Sequence, residues 1–362
     1  IKGWNQTPYM QTWNLGVQRE FKSFLIDVNY VGTKGTHLYF GGAGNLNYLG
    51  PWVESASPSQ ITQLNTKVAN PFWGTITNPS SSLSGQTVTY NQLLRPYPEF
   101  SGFSGPDLPM ANSIYHALQI RVEKRFSKGL QLLGTYVWSK SIDDSSVACS
   151  CTTWLGGATS LQDPNRRYLE RSVSQYDIPQ VLQFSYTYEL PVGKGKRLGS
   201  HWGNLVNSLI GGWQTNGLWR FDDGMPLALG LSTSQSLPTY GGQRPNLIGP
   251  LTRNTDSNWM NQYFANPQNV VTPAPFTVGN APREISSVRA PGTSTTALSL
   301  FKQFALPIRE GTMLEFRVEA FNALNHPQFS PPNLTVGSNA FGKVTSQANS
   351  PRQVQIGLKL YF

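Results

Sequence analysis

The chain has 362 residues, enough for two ordinary domains or one large β-structure, and it is rich in Gly (34) and Pro (26). Apolar residues make up 38% and charged residues only 13%, which suits a wall between lipid and a polar lumen and does not suit a helical enzyme. No run approaches the roughly eighteen apolar residues of a transmembrane helix. The +9 net charge is not gathered on one face, so helical membrane proteins and nucleic-acid binders are set aside.

Tyr9 to Gln18 alternates, with Trp13, Leu15 and Val17 against Thr12, Asn14, Gly16 and Gln18. Arg19 to Lys22 reads as a tight polar turn, and Phe24, Ile26, Val28 and Tyr30 return opposite Asp27 and Asn29. The pair is a hairpin with one apolar and one polar face. Over 36–112 the pattern disappears into Gly, Pro, Ser and Asn, as in a long loop. Such a loop is foreign to an ordinary compact domain but normal at one end of an outer-membrane barrel.

Alternation resumes at Ile114. Leu118, Ile120 and Val122 face one way, and Gln119, Arg121, Glu123 and Arg125 face the other. A charge facing lipid costs about 2–4 kcal/mol at mid-depth, so the polar side must look into water or a polar lumen. After Ser127-Lys128-Gly129 come Leu130, Leu132, Tyr136 and Trp138, and a second long loop covers 140–175. Leu182, Phe184, Tyr186, Tyr188 and Leu190 then oppose Gln183, Ser185, Thr187 and Glu189. The link from Pro191 to Gly211 exceeds a hairpin turn, and Trp202 to Ile210 reads as a helical turn or two. Trp213, Trp219 and Phe221 mark the next strand, and a third loop covers 223–295.

From Ala297 to Leu306, Leu298, Leu300, Lys302 and Phe304 share a face, so Lys302 must snorkel to an interface or sit beside a bulge. Leu314, Phe316, Val318 and Ala320 oppose Glu315, Arg317 and Glu319, and the fourth loop covers 322–350. The closing strand puts Val354, Ile356, Leu358, Leu360 and Phe362 on one face and Gln353, Gln355, Gly357, Lys359 and Tyr361 on the other. By itself this stretch also fits the edge of a soluble β-sandwich. Nine strands with alternately short and long connections fit an outer-membrane plan better. The expected fold is all-β: an antiparallel meander forming the carboxyl-terminal part of a transmembrane barrel, with short periplasmic turns and long extracellular loops. The chain starts at Ile1 without Met or leader and reads as a fragment or processed piece.

Two resemblances sharpen this. Gln355-x-Gly357-x-x-Leu360-x-Phe362 resembles the terminal signal by which the barrel-assembly machinery recognises its clients. Six further stretches resemble the Oar-like branch of TonB-dependent outer-membrane transporters: Pro8 to Gln18, Tyr30 to His37, Tyr136 to Asp144, Asp163 to Arg167, Gly211 to Gln214 and Phe321 to Phe329. That resemblance implies a Gram-negative outer-membrane location and a larger barrel whose other strands cover the two sheet edges. It also implies an amino-terminal plug, absent from this sequence, that couples to the TonB complex, and import of a large scarce ligand such as a siderophore or glycan. A passive pore or adhesive surface protein on the same architecture, or a secreted glycan-binding β protein, stays open. The partners expected are outer-membrane lipid, the assembly machinery, the TonB complex and an unidentified extracellular ligand.

No catalytic set, cofactor motif or metal spacing stands out. Glu315 and Glu319 with Arg317 between them read as a charge-balanced pore wall rather than a hydrolytic pair. Gly193 to Arg197 lacks the phosphate-loop spacing, and Asn325-His326-Pro327 is turn chemistry. Cys149 and Cys151 fit a local disulfide in an exposed loop better than a metal site. The loop aromatics Trp52, Trp73, Tyr97, Trp154, Tyr240 and Trp259 are candidate ligand contacts, whereas Trp138 and Trp213, near strand ends, read as interface-belt residues.

Overall fold

A computed structural model of the chain describes residues 6–40, 47–103, 108–145, 162–163, 166–233 and 242–362. Cys149, Cys151, Trp154 and Tyr240 lie outside the described residues. Among the described residues, nine strands follow one another across a single antiparallel sheet. They are β1 (Tyr9–Phe21), β2 (Phe24–Phe40), β3 (Leu108–Ser127), β4 (Leu130–Asp143), β5 (Gln180–Glu189), β6 (Gln214–Asp222), β7 (Thr293–Ala305), β8 (Met313–Phe321) and β9 (Gln353–Tyr361). Each long strand pairs with its sequence neighbours, and β1 and β9 form the two edges. A two-residue strand, Ser172–Val173, also pairs with β4.

The registers put the expected apolar residues of the paired strands on one face. Val17 stands opposite Val28, which stands opposite Ile120, and the row runs on through Tyr136 and Leu182 to Phe221. At the far edge, Phe316 faces Leu358 and Val318 faces Ile356. Many of these side chains are open to the surroundings: Leu182 is 42% exposed within the sheet, and Ile356 is 68% exposed on the edge strand. A row of exposed apolar residues that long is stable only against hydrocarbon.

Glycines on this face let aromatic rings lie flat on the wall. A Cβ at Gly217 would sit 2.2 Å from the Tyr186 ring opposite it, and one at Gly32 would sit 2.3 Å from Trp13.

The short turns follow local chemistry. Phe21 pairs with Phe24 across Lys22-Ser23, where Lys22 takes φ 55°. Arg19 and Glu20 therefore belong to the strand, not to the turn that their polarity suggested. Lys128 (φ 52°) and Gly129 (φ 79°) both take positive φ, the conformation whose twist matches the flanking strands.

Strand ends extend beyond the alternation. β2 continues to Phe40 and β3 begins at Leu108, not Ile114, because backbone pairing carries on past a register shift at Gly35–Leu38. β3 is thus 20 residues long, well over the roughly ten needed to span the membrane, and it projects on the long-loop side.

The described parts of those loops are folded. Pro226–Leu227 pairs with Ile285–Arg289, Asn246–Leu247 with Val270–Val271, and Gly230–Leu231 with Thr335–Val336. Leu227, Leu251, Tyr263, Phe264, Ile285, Val288 and Val336 close one apolar core shared by the third and fourth loops. A second core joins Leu49, Val53 and Leu64 of the first loop to Phe276 of the third.

Candidate functional site

The inner face of the wall is polar and internally paired. Asp27 stands opposite Arg121 and Asn29 opposite Gln119. Asn29 donates to Asp27 at 2.6 Å, and Arg121 donates to Glu123 at 2.7 Å. At the other side of the sheet, the Arg317 Nε donates to Glu315 and its Nη1 to Glu319, both at 3.1 Å. Gln303 donates to the second oxygen of Glu315 at 2.9 Å, and the Phe301 ring lies 5.0 Å from the Arg317 guanidinium. One cation thus sits between two carboxylates, with an amide completing the buried one. A cavity of about 430 Å³ opens here, lined in part by Gln131, Ser185, Asn216, Ser299, Arg317 and Glu319. Its groups donate and accept hydrogen bonds with little local excess charge, which suits a polar solute or water.

Above the wall, arginines tie the loops to one another and to the strand ends, Arg244 and Arg283 buried and Arg166, Arg167 and Arg289 half-buried. Arg166 of the second loop pairs with Glu54 of the first and, at 2.6 Å, with Asp163. Arg167 reaches Asp144 at 2.8 Å. From the third loop, Arg244 donates to Glu170 at 2.7 Å and to the Leu169 and Ala281 carbonyls. Arg283 pairs with Asp143 at the end of β4, and Arg289 with Asp177. Gln162 accepts from the Arg244 and Gly279 amides and donates to the Gly279 carbonyl. In the two fully buried pairs, Arg244–Glu170 and Arg283–Asp143, desolvation offsets most of the attraction, so they fix register more than they add stability. Glu284 lies in the same layer. Burial pushes its carboxyl up to about 7, with Arg283 opposing, Asp143 adding and Arg244 opposing.

The candidate contact aromatics separate into two groups. Trp52, Trp73 and Tyr97 are exposed on the first loop, and the Tyr97 ring meets Phe103 edge-on at 5.3 Å. Trp259 instead packs against the core of the third and fourth loops, edge-on to Phe329 at 5.2 Å and to Tyr263 at 6.1 Å, with Arg253 over its ring. On β9, Gln355 and Gly357 face inward, opposite Glu319 and Arg317, while Leu360 faces outward. Phe362, beyond the last paired residue, is 95% exposed.

Trp138 is exposed on the outer face, but Trp213 is held: its indole donates to the Leu209 carbonyl at 2.9 Å and meets Phe316 edge-on. Lys302 also departs from expectation. The registers pass it without a bulge, opposite Phe316 on the outer face. Its ammonium does not snorkel to water but ends on the carbonyls of Asn207, Ser208 and Gly211. Sequence reasoning missed the loop arginines as a group. Their only signal was the Asp163-to-Arg167 stretch, whose partners stand far away in sequence.

The family model of the outer membrane beta barrel domain matches residues 2–355. The chain belongs to that family. This outer membrane beta barrel domain is an antiparallel meander with its apolar face against outer-membrane lipid, short periplasmic turns and long extracellular loops. Among solved structures it is similar to the outer membrane transporter YddB from Escherichia coli, at 8% identity and a TM-score of 0.43. That match covers 98% of this chain and 33% of the other, so the domain spans about a third of that transporter's length. No curated protein matches it.

Proposed function

We propose that this barrel domain serves active import: a ligand too large or too scarce for diffusion is captured at the extracellular cap and passes along the polar inner wall. The observation that carries this reading is the cap itself. Among the described residues, its loops are joined by shared cores and buried arginine pairs into one packed layer with exposed Trp52, Trp73 and Tyr97. A packed layer of that kind provides a binding surface, whereas a passive pore needs only an open mouth.

The resemblance to Oar-like TonB-dependent transporters supplies the mode: energy coupling through a plug and the TonB complex, with a siderophore or glycan-like ligand and no catalytic step. Flat chelates and sugar rings both stack on exposed indoles. Barrel geometry supports a larger assembly. β1 and β9 run in the same direction across the membrane, because an even number of reversals separates them. A barrel of antiparallel ladders therefore closes only through an odd number of further strands, since neither edge can be left open in lipid.

Uptake tests this reading. The gene for the full-length protein is deleted in one strain and the TonB coupling function in another, and accumulation of labelled ferric chelates and oligosaccharides is measured. Both deletions should abolish uptake of the same compound. Accumulation that needs the barrel but survives loss of TonB coupling would establish a passive pore instead. Trp52→Ala with Trp73→Ala should weaken ligand binding by about 2 kcal/mol if the rings are contact anchors.

A further inference from the structure

Helix α1 (Asn204–Ile210), in the periplasmic link 190–213 between β5 and β6, is built inside out for a protein in water. At 100° per residue, Leu205, Val206, Leu209 and Ile210 share one side, and Asn204, Asn207 and Ser208 share the other. The polar side is the one turned to the protein. Asn207 accepts from the Lys194 amide at 2.6 Å, and the Asn207, Ser208 and Gly211 carbonyls accept from Lys302. The apolar side points away, with Leu205 78% exposed and Leu209 65%.

What it points into follows from where it is fixed. Lys302 and Trp213, which hold the helix, stand on the lipid-facing side of the wall, beside Phe316 and Phe304. The exposed apolar stripe therefore continues the barrel's own lipid-facing surface at its periplasmic rim. Charge agrees. The link carries Lys194, Lys196 and Arg197 and no acidic residue. Lys196 is paired with Glu189 at 2.9 Å, while Lys194 and Arg197 are exposed. An apolar helix side flanked by exposed cations is the pattern of a segment lying in a membrane interface.

We propose that α1 lies in the periplasmic leaflet of the outer membrane, its Leu205–Leu209 side among the acyl chains and Lys194 and Arg197 at anionic phospholipid head groups. The helix then works as a float that sets the depth of the wall, and Lys302 ties it to β7. This role is independent of what the barrel transports.

The test uses the full-length protein in phosphatidylcholine vesicles with and without phosphatidylglycerol, in a background with Cys149→Ser and Cys151→Ser. A nitroxide is placed through Leu205→Cys or Leu209→Cys, with Ile356→Cys as the lipid reference and Ser59→Cys as the aqueous one. At both helix positions, collisions with a water-soluble nickel chelate should fall several-fold below the Ser59 value and match the Ile356 value. Chelate collisions equal to those at Ser59 would overturn the proposal. Val206→Cys and Ile210→Cys provide the same readout should either first variant fail to fold. Lys194→Gln with Arg197→Gln should raise chelate access at position 205 only in vesicles containing phosphatidylglycerol. No change there would remove the head-group contact.

Discussion

Glu284 and Arg244 show what single buried side chains do in the extracellular cap. The Glu284 carboxyl sits at about 7 in the folded protein against an ordinary 4.5, so the folded state holds a proton that the unfolded chain has released. Its contribution to stability is complete below pH 4.5 and is lost progressively as the pH rises to about 7. Nicking of loop 242–292 by protease should therefore rise over that window, and Glu284→Gln should remove this component of the pH dependence. Arg244→Met leaves Glu170, 0% exposed, without its buried cation. Loss of one partner of such a pair costs about 3–5 kcal/mol. Loop proteolysis should accelerate in this variant while the barrel keeps its heat-modifiable mobility on gels, since the pair lies outside the wall.

At the scale of elements, β9 separates the two environments within adjacent residues. Ile356 points into lipid opposite Val318, and Gln355 points inward opposite Glu319. Ile356→Arg in the full-length protein should cost about 2–4 kcal/mol in urea unfolding from lipid. Gln355→Arg should cost close to nothing, because the new cation faces a carboxylate across the ladder. Alternation made such strands legible: β3, β5, β8 and β9 carry period-two contrast along most of their length. It failed where contrast vanishes though pairing continues. Past the register shifts, Leu38 still pairs with Ala111, Tyr39 with Pro109 and Phe40 with Leu108, yet no apolar/polar rhythm marks them. Lys302 broke the rhythm of β7 for a reason local to another element: its partner is the end of α1, in a different connection.

For the molecule as a whole, delivery and closure matter most. We propose Gln355, Gly357, Leu360 and Phe362 as the assembly signal. Phe362→Ala in the full-length protein should then reduce its outer-membrane abundance several-fold without altering synthesis, and an unchanged surface level would remove that role.

The amino-acid sequence alone determined the wall: nine strands, their order, their two faces and the alternation of short and long connections. Those features rest on local periodicity and turn chemistry, which act between residues close in the chain. The cap was decided by tertiary structure. Phe276 fills a core made by Leu49, Val53 and Leu64, and Arg283 meets Asp143, across separations that no spacing rule records. The same holds for the candidate site. Trp52 and Trp259 are alike as loop tryptophans in sequence, but Trp52 stays exposed while Phe329 and Tyr263 draw Trp259 into the packed layer. Burial is a property of what folds over a residue, and in this protein the covering residues come from different loops.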